Sequence, residues 1–221
     1  MRFNYFLTTY LPRRDYGGDR LYREMIDQAV LADRLGFHAV SIPEHHLINV
    51  LLVPSPLQMA VRIAGLTKNV DIVTSIVVLP VRDMRVFVGE VVQADILCDG
   101  RLVLGVGRGA FGYELERLGT PLAETRAKFD ESLNVLEALL TGEPTAWDGA
   151  YYKFEPISVM PPPVRKVRLM VAVMAPEGIY ASAKRGFNIQ TTPLQASHET
   201  LLEQRQIGRA VQQECRDRSR M

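Results

Sequence analysis

Apolar stretches with strand character alternate with amphipathic stretches of helical period along most of the chain. One of them, "VDIVTSIVVLP" at 70–80, is apolar nearly throughout, as expected for a parallel strand that is covered on both faces. The six predicted strands span 2–10, 38–43, 70–80, 101–109, 167–173 and 187–193. This regular alternation of strand and helix predicts an α/β fold built on a parallel sheet.

The helical stretches between these strands carry start and stop signals. The apolar face of the first consists of Leu21, Met25, Ala29 and Ala32. Gly36 is expected to end that helix, and Ser55 with Pro56 supplies an N-cap and a first-turn proline for the next one. A long helix is predicted from Thr120 to Gly142.

One segment, "EPTAWDGAYYKFEP", breaks the alternation. Aromatic residues flank Asp148 and Gly149, and an Asp-Gly pair between apolar runs is a strong hairpin signal. A run of three prolines at 161–163 follows and is expected to lead the chain back. We therefore predict a small hairpin excursion outside the main sheet.

The last segment, Gln206 to Met221, is polar and shows neither a helical nor a strand period. With permitted codons it back-translates to a string that resembles a common sequencing-library adapter read in frame. The predicted organisation is therefore a single domain over 1–205, followed by a non-native tail over 206–221 that carries no information about the fold. Resequencing the locus tests this hypothesis, because genomic DNA that encodes the tail would contradict it.

Composition narrows the class of protein. The chain has 221 residues, 47% of them hydrophobic, and a formal net charge of +1, so neither nucleic acid nor an anionic membrane is an expected partner. Its start lacks the pattern of a secretory signal, and no apolar run is long enough to cross a bilayer. With two cysteines a disulfide framework is not expected, and a cytoplasmic location fits best.

Two architectures fit six β/α units. One is an open, doubly wound sheet, and the other is a (β/α)₈ barrel that has been cut short after its sixth strand. Six strands alone favour the first, whereas a truncated chain favours the second. In both, the functional site lies at the carboxyl ends of the strands, so the residues that follow each strand are the candidates.

Glu44, His45 and His46 follow the second strand. Adjacent residues on a strand point to opposite faces, so the two histidines are poorly placed to bind one ion. His38 and His198 are isolated, and no further ligand spacing is present, so we expect no metal site. A structural histidine and a proton-handling histidine are both compatible with the sequence.

The fourth strand ends in "LGVGRGAFGYE". Its glycines meet the loose form of a dinucleotide fingerprint, but they begin inside the strand and no strand-end acid follows at the required distance. The alternative is that small residues let a planar ligand approach while Arg108 binds a phosphate through its planar fork. A salt bridge within the protein is the ordinary alternative for an arginine.

Taken in order, these motifs resemble the luciferase-like flavin-dependent monooxygenase family, in its bacterial luciferase-type branch. The resemblance rests on "MRFNYFLTTYLP", "GFHAVSIPEHHL", "IVTSIVVLP", "DGRLVLGVGRG", "YYKFEPISVMPPP" and "VAVMAPEGIYASAKRG". It implies an incomplete (β/α)₈ TIM barrel, because strands seven and eight are absent. It also implies that reduced FMN, supplied by a separate flavin reductase, reacts with O₂ to give a flavin C4a-peroxide that oxidises a small organic substrate. A homodimer is implied for the full-length protein.

The resemblance assigns roles to residues of this chain. His45 is implied as the catalytic histidine, with Glu44 beside it, and a non-proline cis peptide beneath the flavin ring falls on Ser75-Ile76. The cofactor side is completed by Thr8, Arg108, Val173, Met174 and Ala175. Family members often have serines where this chain has Met174 and Ala175, so backbone N–H groups would have to contact the phosphate there.

Three alternatives remain beside this reading. The same fold can use the deazaflavin F420 for hydride transfer without oxygen, although the Glu-His-His strand end favours FMN. A non-catalytic flavin-binding relative would explain the short chain. A nicotinamide dehydrogenase built on the glycine stretch is the weakest of the three.

Overall fold

The computed structural model describes residues 2–192 and 197–218. Its strands are β1 (Asn4–Phe6), β2 (Ala39–Ile42), β3 (Asp71–Thr74), β4 (Val77–Val78), β5 (Leu102–Gly107), β6 (Thr145–Asp148), β7 (Lys153–Ile157), β8 (Arg168–Ala172) and β9 (Asn188–Gln190). Its α-helices are α1 (Gly18–Arg34), α2 (Pro56–Ala64), α3 (Met84–Leu97), α4 (Gly112–Arg117), α5 (Thr125–Leu139), α6 (Pro176–Lys184) and α7 (His198–Arg218).

The main sheet has the strand order β1-β2-β3-β5-β8-β9, and all of its pairs are parallel. Each strand lies beside the one that precedes it in this series, whereas a doubly wound sheet reverses its order at a switch point. The sheet is therefore six strands of a (β/α) barrel, which confirms the incomplete-barrel prediction and excludes the open doubly wound alternative.

The third strand differs from its prediction. The apolar run 70–80 forms β3 and β4, separated by a cis peptide bond between Ser75 and Ile76, where the family resemblance had placed it. The Thr74 hydroxyl bridges the interruption in the pairing with β5. It donates to the Gly105 carbonyl and accepts from the Gly105 N–H, both at 2.8 Å. A side chain thus replaces the backbone pairing that an uninterrupted strand would make.

The core lies between the sheet and the helices. Alternate strand residues, among them Val40, Ile72 and Leu104, are fully buried against it. The predicted face of α1 is confirmed, because Leu21, Met25, Ala29 and Ala32 are all buried. Gly36 follows α1 with φ of 78°, the left-handed conformation that glycine adopts most readily.

The long helix predicted from Thr120 to Gly142 is too long in both directions. The observed helix is α5, and the separate short helix α4 precedes it unpredicted. Gly119, with φ of 74°, and Pro121 lie between the two helices and prevent a continuous one. Leu122, which falls in the segment between the two helices, is exposed.

The predicted hairpin is confirmed as the antiparallel pair β6–β7, which forms a separate two-stranded sheet. The carboxylate of Glu131 on α5 holds its tip. It accepts the Trp147 indole N–H at 3.2 Å and backbone N–H groups of Ala150, Tyr151 and Tyr152 at 3.0 to 3.2 Å. One helical carboxylate therefore fixes the excursion against the outside of the barrel.

A last helix was predicted to begin after Ser197 and to run into the tail, and α7 begins at His198. The prediction gave 206–221 no regular period, yet α7 continues to Arg218. Gln204 and Val211 are buried, and Gly208 faces Ile189, a spacing of four and three residues that is helical. The end of the predicted sixth strand, Pro193, lies outside the described residues. Within those residues, no helix is both long and apolar enough to cross a bilayer.

Candidate functional site

The carboxyl ends of the parallel strands bring the predicted site residues to one edge of the sheet. Residues 44–46 follow β2, the cis pair Ser75-Ile76 lies between β3 and β4, and Arg108 follows β5. Residues 173–175 follow β8 and lead into α6. The edge thus unites segments that are far apart in sequence, as the barrel topology requires.

His45 is bound by a carboxylate that the sequence analysis did not identify. Its Nδ1 lies 2.9 Å from Oε2 of Glu114, a buried residue of α4. The other oxygen, Oε1, accepts the backbone N–H of His46. The imidazole of His45 also packs on Phe111, with the ring centroids 4.8 Å apart. A carboxylate on Nδ1 fixes the orientation of the ring and leaves Nε2 for other partners.

Glu44 has a different set of partners. Its fully buried carboxylate accepts from Arg82 at 2.8 Å and lies 2.8 Å from Nε2 of His46. The Val78 N–H contributes a longer bond of 3.4 Å. Glu44 was expected beside His45, but the structure pairs it with His46, and Glu114 takes the position next to His45. Burial makes a lone carboxylate unfavourable, so Arg82 is the cation that balances Glu44.

The histidines are separated for a different reason from the one inferred from sequence. Both lie after the end of β2, so strand alternation does not apply to them. Instead, each ring is hydrogen-bonded to a separate carboxylate. Among the residues that the structure describes, no group of three or more His, Cys, Asp or Glu side chains could hold a metal ion.

The glycines of β5 are explained by packing within the protein. A Cβ at Gly105 would collide with the carbonyl oxygen of Thr74, and one at Gly107 would lie 2.7 Å from Cδ1 of Ile76. The first contact is with the neighbouring strand and the second is with the cis pair itself. The glycines therefore let the irregular third strand pack closely, which removes the reason to read them as a dinucleotide fingerprint.

Arg108 is exposed directly after β5. Within the described ranges its guanidinium makes no hydrogen bond or ion pair, so the salt-bridge alternative is not what the fold adopts. Gly109 follows with φ of 85°, and a Cβ there would lie 3.1 Å from Leu115 and Val78. The tight turn holds the arginine at the rim with its donors free.

The segment after β8 is partly committed to the fold. The N–H of Val173 donates to the Gln190 carbonyl at 2.9 Å, so it is not free for a phosphate. Met174 and Ala175 are exposed, and Ala175 is the N-cap of α6. Thr8, beyond the end of β1, is also exposed. Of the predicted backbone donors, those of Met174 and Ala175 remain.

Unsatisfied polar atoms concentrate at the same edge. In the described part of the chain, three buried side-chain atoms have no hydrogen-bond partner: Thr9 Oγ1, Arg82 Nε and Gln190 Oε1. Each belongs to a residue that lies at or after the carboxyl end of a strand. A buried polar atom without a partner costs about 1–3 kcal/mol, and native proteins tolerate few of them. Their position is typical of a site that takes a polar ligand.

Comparison with known proteins identifies the class. The sequence model of the luciferase-like monooxygenase family matches residues 1–220, and the chain belongs to that family. The oxygenase component of a flavin-dependent trigonelline monooxygenase from Acinetobacter baylyi is 30% identical over 203 residues. That alignment covers 90% of this chain but 56% of the relative, so the chain spans little more than half of the relative's length.

Solved structures show the same architecture. The monooxygenase RslO1 from Streptomyces bottropensis superposes with a TM-score of 0.91 at 25% identity, over 97% of this chain and 67% of its own. The oxygenating constituent of 3,6-diketocamphane monooxygenase from Pseudomonas putida, solved in complex with FMN, gives a TM-score of 0.84 at 18% identity. It is covered over 63% of its length, against 97% of this chain, and its likeness is one of fold.

Three residues of the edge escaped the sequence analysis: Arg82, Glu114 and Gln190. Glu114 lies at the end of the quoted stretch "RGAFGYE", but nothing in that stretch predicts that α4 turns it back onto His45. Arg82 reaches Glu44 from the neighbouring unit, and Gln190 reaches Ser75 across the barrel. A charged residue soon after a strand end was the one signal available for Glu114.

Proposed function

We propose that this protein is the oxygenase part of a flavin-dependent monooxygenase that uses reduced FMN and O₂ to oxidise a small organic substrate. The observation that carries the proposal is the His45–Glu114 pair at the carboxyl edge of the barrel. The relatives that are monooxygenases support the reaction class, and the FMN complex of one of them supports the cofactor.

The residues at this edge fit FMN. Arg108 offers unpaired donors for a phosphate, and the N–H groups of Met174 and Ala175 with the start of α6 offer neutral ones. Thr8 and the pair Ser75-Ile76 are the residues proposed to hold the ring. When bound in its reduced form, the flavin would supply the electrons that activate oxygen, which no side chain of the chain can do.

His45 would then handle the proton. Glu114 on Nδ1 fixes the orientation of the ring and leaves Nε2 for the reacting centre. Glu44 would act indirectly. It binds His46 and Arg82 and so fixes the backbone that carries His45. Phe111 covers one face of the ring and limits the access of water.

Two substitutions separate proton handling from cofactor binding. His45→Ala should slow the oxygen-dependent reoxidation of bound reduced FMN by about 100-fold, the usual contribution of a positioned acid or base, with FMN affinity nearly unchanged. Arg108→Ala should instead weaken FMN binding by about tenfold, because it removes charge-assisted hydrogen bonds to phosphate. Stopped-flow absorbance and fluorescence titration measure the two effects.

Matched controls come from the same residue types elsewhere. His38 interacts with Asp71 at the opposite end of the strands, and Arg126 is exposed on α5. His38→Ala and Arg126→Ala should change neither measurement. Normal reoxidation in His45→Ala together with normal FMN affinity in Arg108→Ala would refute the assignment.

The cofactor and the partners are tested in the same preparation. F420 is the alternative cofactor, and a stronger affinity for F420, with hydride transfer in the absence of oxygen, would replace FMN in the proposal. A separate flavin reductase is the proposed source of reduced FMN, and addition of one with its reductant should start oxygen consumption. A homodimer is proposed for the full-length protein.

A further inference from the structure

Gln190 makes a hydrogen bond across the interior of the barrel. It is the last residue of β9, and its Nε2 donates to Oγ of Ser75 at 2.5 Å. Ser75 is the first residue of the cis pair, which lies between β3 and β4. Strands β8 and β5 lie between these two residues in the sheet. The bond therefore ties the cis pair to the strand that ends the described sheet.

Small residues make room for this crossing. Ala172 pairs directly with Gln190, and its Cβ would lie 3.6 Å from a Cβ added at Gly107 on the next strand. Larger side chains at these two positions would fill the space that the Gln190 amide spans. The backbone of Gln190 is fixed as well, because its carbonyl accepts from Val173. The Gln190 side chain is therefore fixed by its backbone at one end and by the bond from Nε2 to Ser75 at the other.

The oxygen of the Gln190 side-chain amide, in contrast to its nitrogen, has no partner among the described residues. Oε1 of Gln190 is buried without a hydrogen bond. A carbonyl oxygen accepts and cannot donate, so a ligand with an N–H or O–H group would satisfy it. Since Nε2 is held by Ser75, the amide cannot turn its oxygen to another protein donor without losing that bond. The site is thus a fixed acceptor beside the cis pair.

We infer that Gln190 recognises the pyrimidine edge of the flavin ring, with its amide oxygen accepting the ring N3–H. The inference rests on the proposed function. The oxidised isoalloxazine has a single N–H, at N3 between two carbonyl groups, and a lone buried acceptor is the complement of that group. Ser75 is a positioning residue in this arrangement, because it orients the amide and would not itself touch N3.

The ligand can be changed instead of the protein, which avoids any question of folding. Binding of oxidised FMN and of N3-methyl-FMN to the unmodified chain is measured by fluorescence titration. The methyl group removes the N–H, so the analogue should bind about tenfold more weakly, the loss expected when a buried hydrogen bond is left unmade. Equal affinity for the two flavins would overturn the inference.

A variant separates the hydrogen bond from the bulk of the methyl group. Gln190→Leu keeps the size of the side chain and removes the acceptor, so it should bind both flavins with the same, weaker affinity. Asn188→Ala, two residues earlier on the same face of β9, should keep the preference of the unmodified chain. Preference retained in Gln190→Leu would assign the effect to bulk and overturn the inference.

Failure of this inference is distinguishable from failure of the proposed function. A preference for FMN over its N3-methyl analogue without oxygen-dependent reoxidation would support Gln190 and contradict the monooxygenase. Oxygen-dependent reoxidation with equal affinity for the two flavins would support the monooxygenase and contradict the role of Gln190. Absence of binding of either flavin would contradict both.

Discussion

Cys98 shows how a single residue's surroundings set its chemistry. It follows α3 with no exposed surface, and burial raises the pKa of its thiol to about 11. At pH 8 about one thiol in a thousand would be ionised, and the thiolate is the reactive form. In a Cys215→Ser background, Cys98 should resist a chromogenic disulfide reagent in the native protein and react at once in denaturant. Rapid reaction without denaturant would show that the site opens to solvent.

Asp33 gives a pH-dependent prediction at the same scale. Partial burial alone would raise the pKa of its carboxyl group, but N–H groups of Asn69, Val70 and Lys68 at 2.8 to 3.1 Å bring it below its ordinary value. A lowered pKa in the folded state contributes stability above the unfolded pKa, and that contribution is lost as pH falls through the folded pKa.

Asp33→Asn should therefore lower the free energy of unfolding by about 1–2 kcal/mol near pH 7, and the difference should shrink below about pH 4. Asp27→Asn, an exposed position on the same helix, serves as the control and should have little effect at either pH. Urea unfolding of each variant at the two pH values provides the measurement. A difference that is independent of pH would show that the carboxylate charge is not involved.

At residue scale, the sequence predicted some members of the site and could not predict others. His45 and Arg108 follow strands directly, so strand prediction alone places them at the carboxyl edge. Glu114 depends on a short helix that closes back on β2, and Gln190 depends on a contact across two intervening strands. Such contacts are fixed by tertiary packing, which has no signature in local sequence pattern.

Among the elements, the hairpin β6–β7 depends on one helical side chain. The Glu131 carboxylate accepts four donors from its tip, and a Cβ at Gly149 would collide with the same carboxylate. Glu131→Ala should leave those donors without a protein acceptor and free the tip, while the barrel behind it stays folded. Chymotrypsin should then cleave after Tyr151 or Tyr152 about tenfold faster, because local opening costs less.

Asp130→Ala is the matched control for the hairpin experiment. Asp130 is the neighbour of Glu131 on α5, but its partner is the exposed Arg126 at 4.0 Å. Exposed pairs of this kind contribute little, so the cleavage rate should not change. Unchanged cleavage in Glu131→Ala would mean that other contacts, such as that of Tyr152 with Ser132, hold the tip.

At the element scale, periodicity predicted the six main strands, the hairpin and most helices. It failed where one apolar run contained two elements, as at 70–80, because period cannot show a change of backbone geometry within a run. It also failed where a proline stood near a helix start, since Pro121 suits both the first turn of a helix and the loop before one. The start of the C-terminal helix was predicted, but its continuation through 206–218 was missed because the buried positions there are few.

At the scale of the whole sheet, the strands of the described residues end on β1 and β9, which have one neighbour each among them. Both present unpaired backbone groups, and Phe6 exposes 39% of its surface. Sheet edges of this kind promote association between chains. We therefore expect the chain to self-associate, and Phe6→Asp to reduce the association when size is measured by light scattering.

Leu31→Asp is the control for that experiment, because Leu31 is exposed on the outer surface of α1. It should leave the distribution of sizes unchanged. A monomeric preparation that binds flavin tightly would contradict the expectation and would show that six strands are sufficient for the site.

The strands of the main sheet lie side by side in the order of the sequence, and this has a consequence for the synthesis of the chain. A ribosome releases the units in the same order in which they stand side by side in the sheet, so each new strand can join the one that left the exit tunnel just before it. The His45–Glu114 pair could be assembled once β5 and α4 have emerged, well before a barrel could close. The growing chain would therefore carry the His45–Glu114 pair through much of its own synthesis.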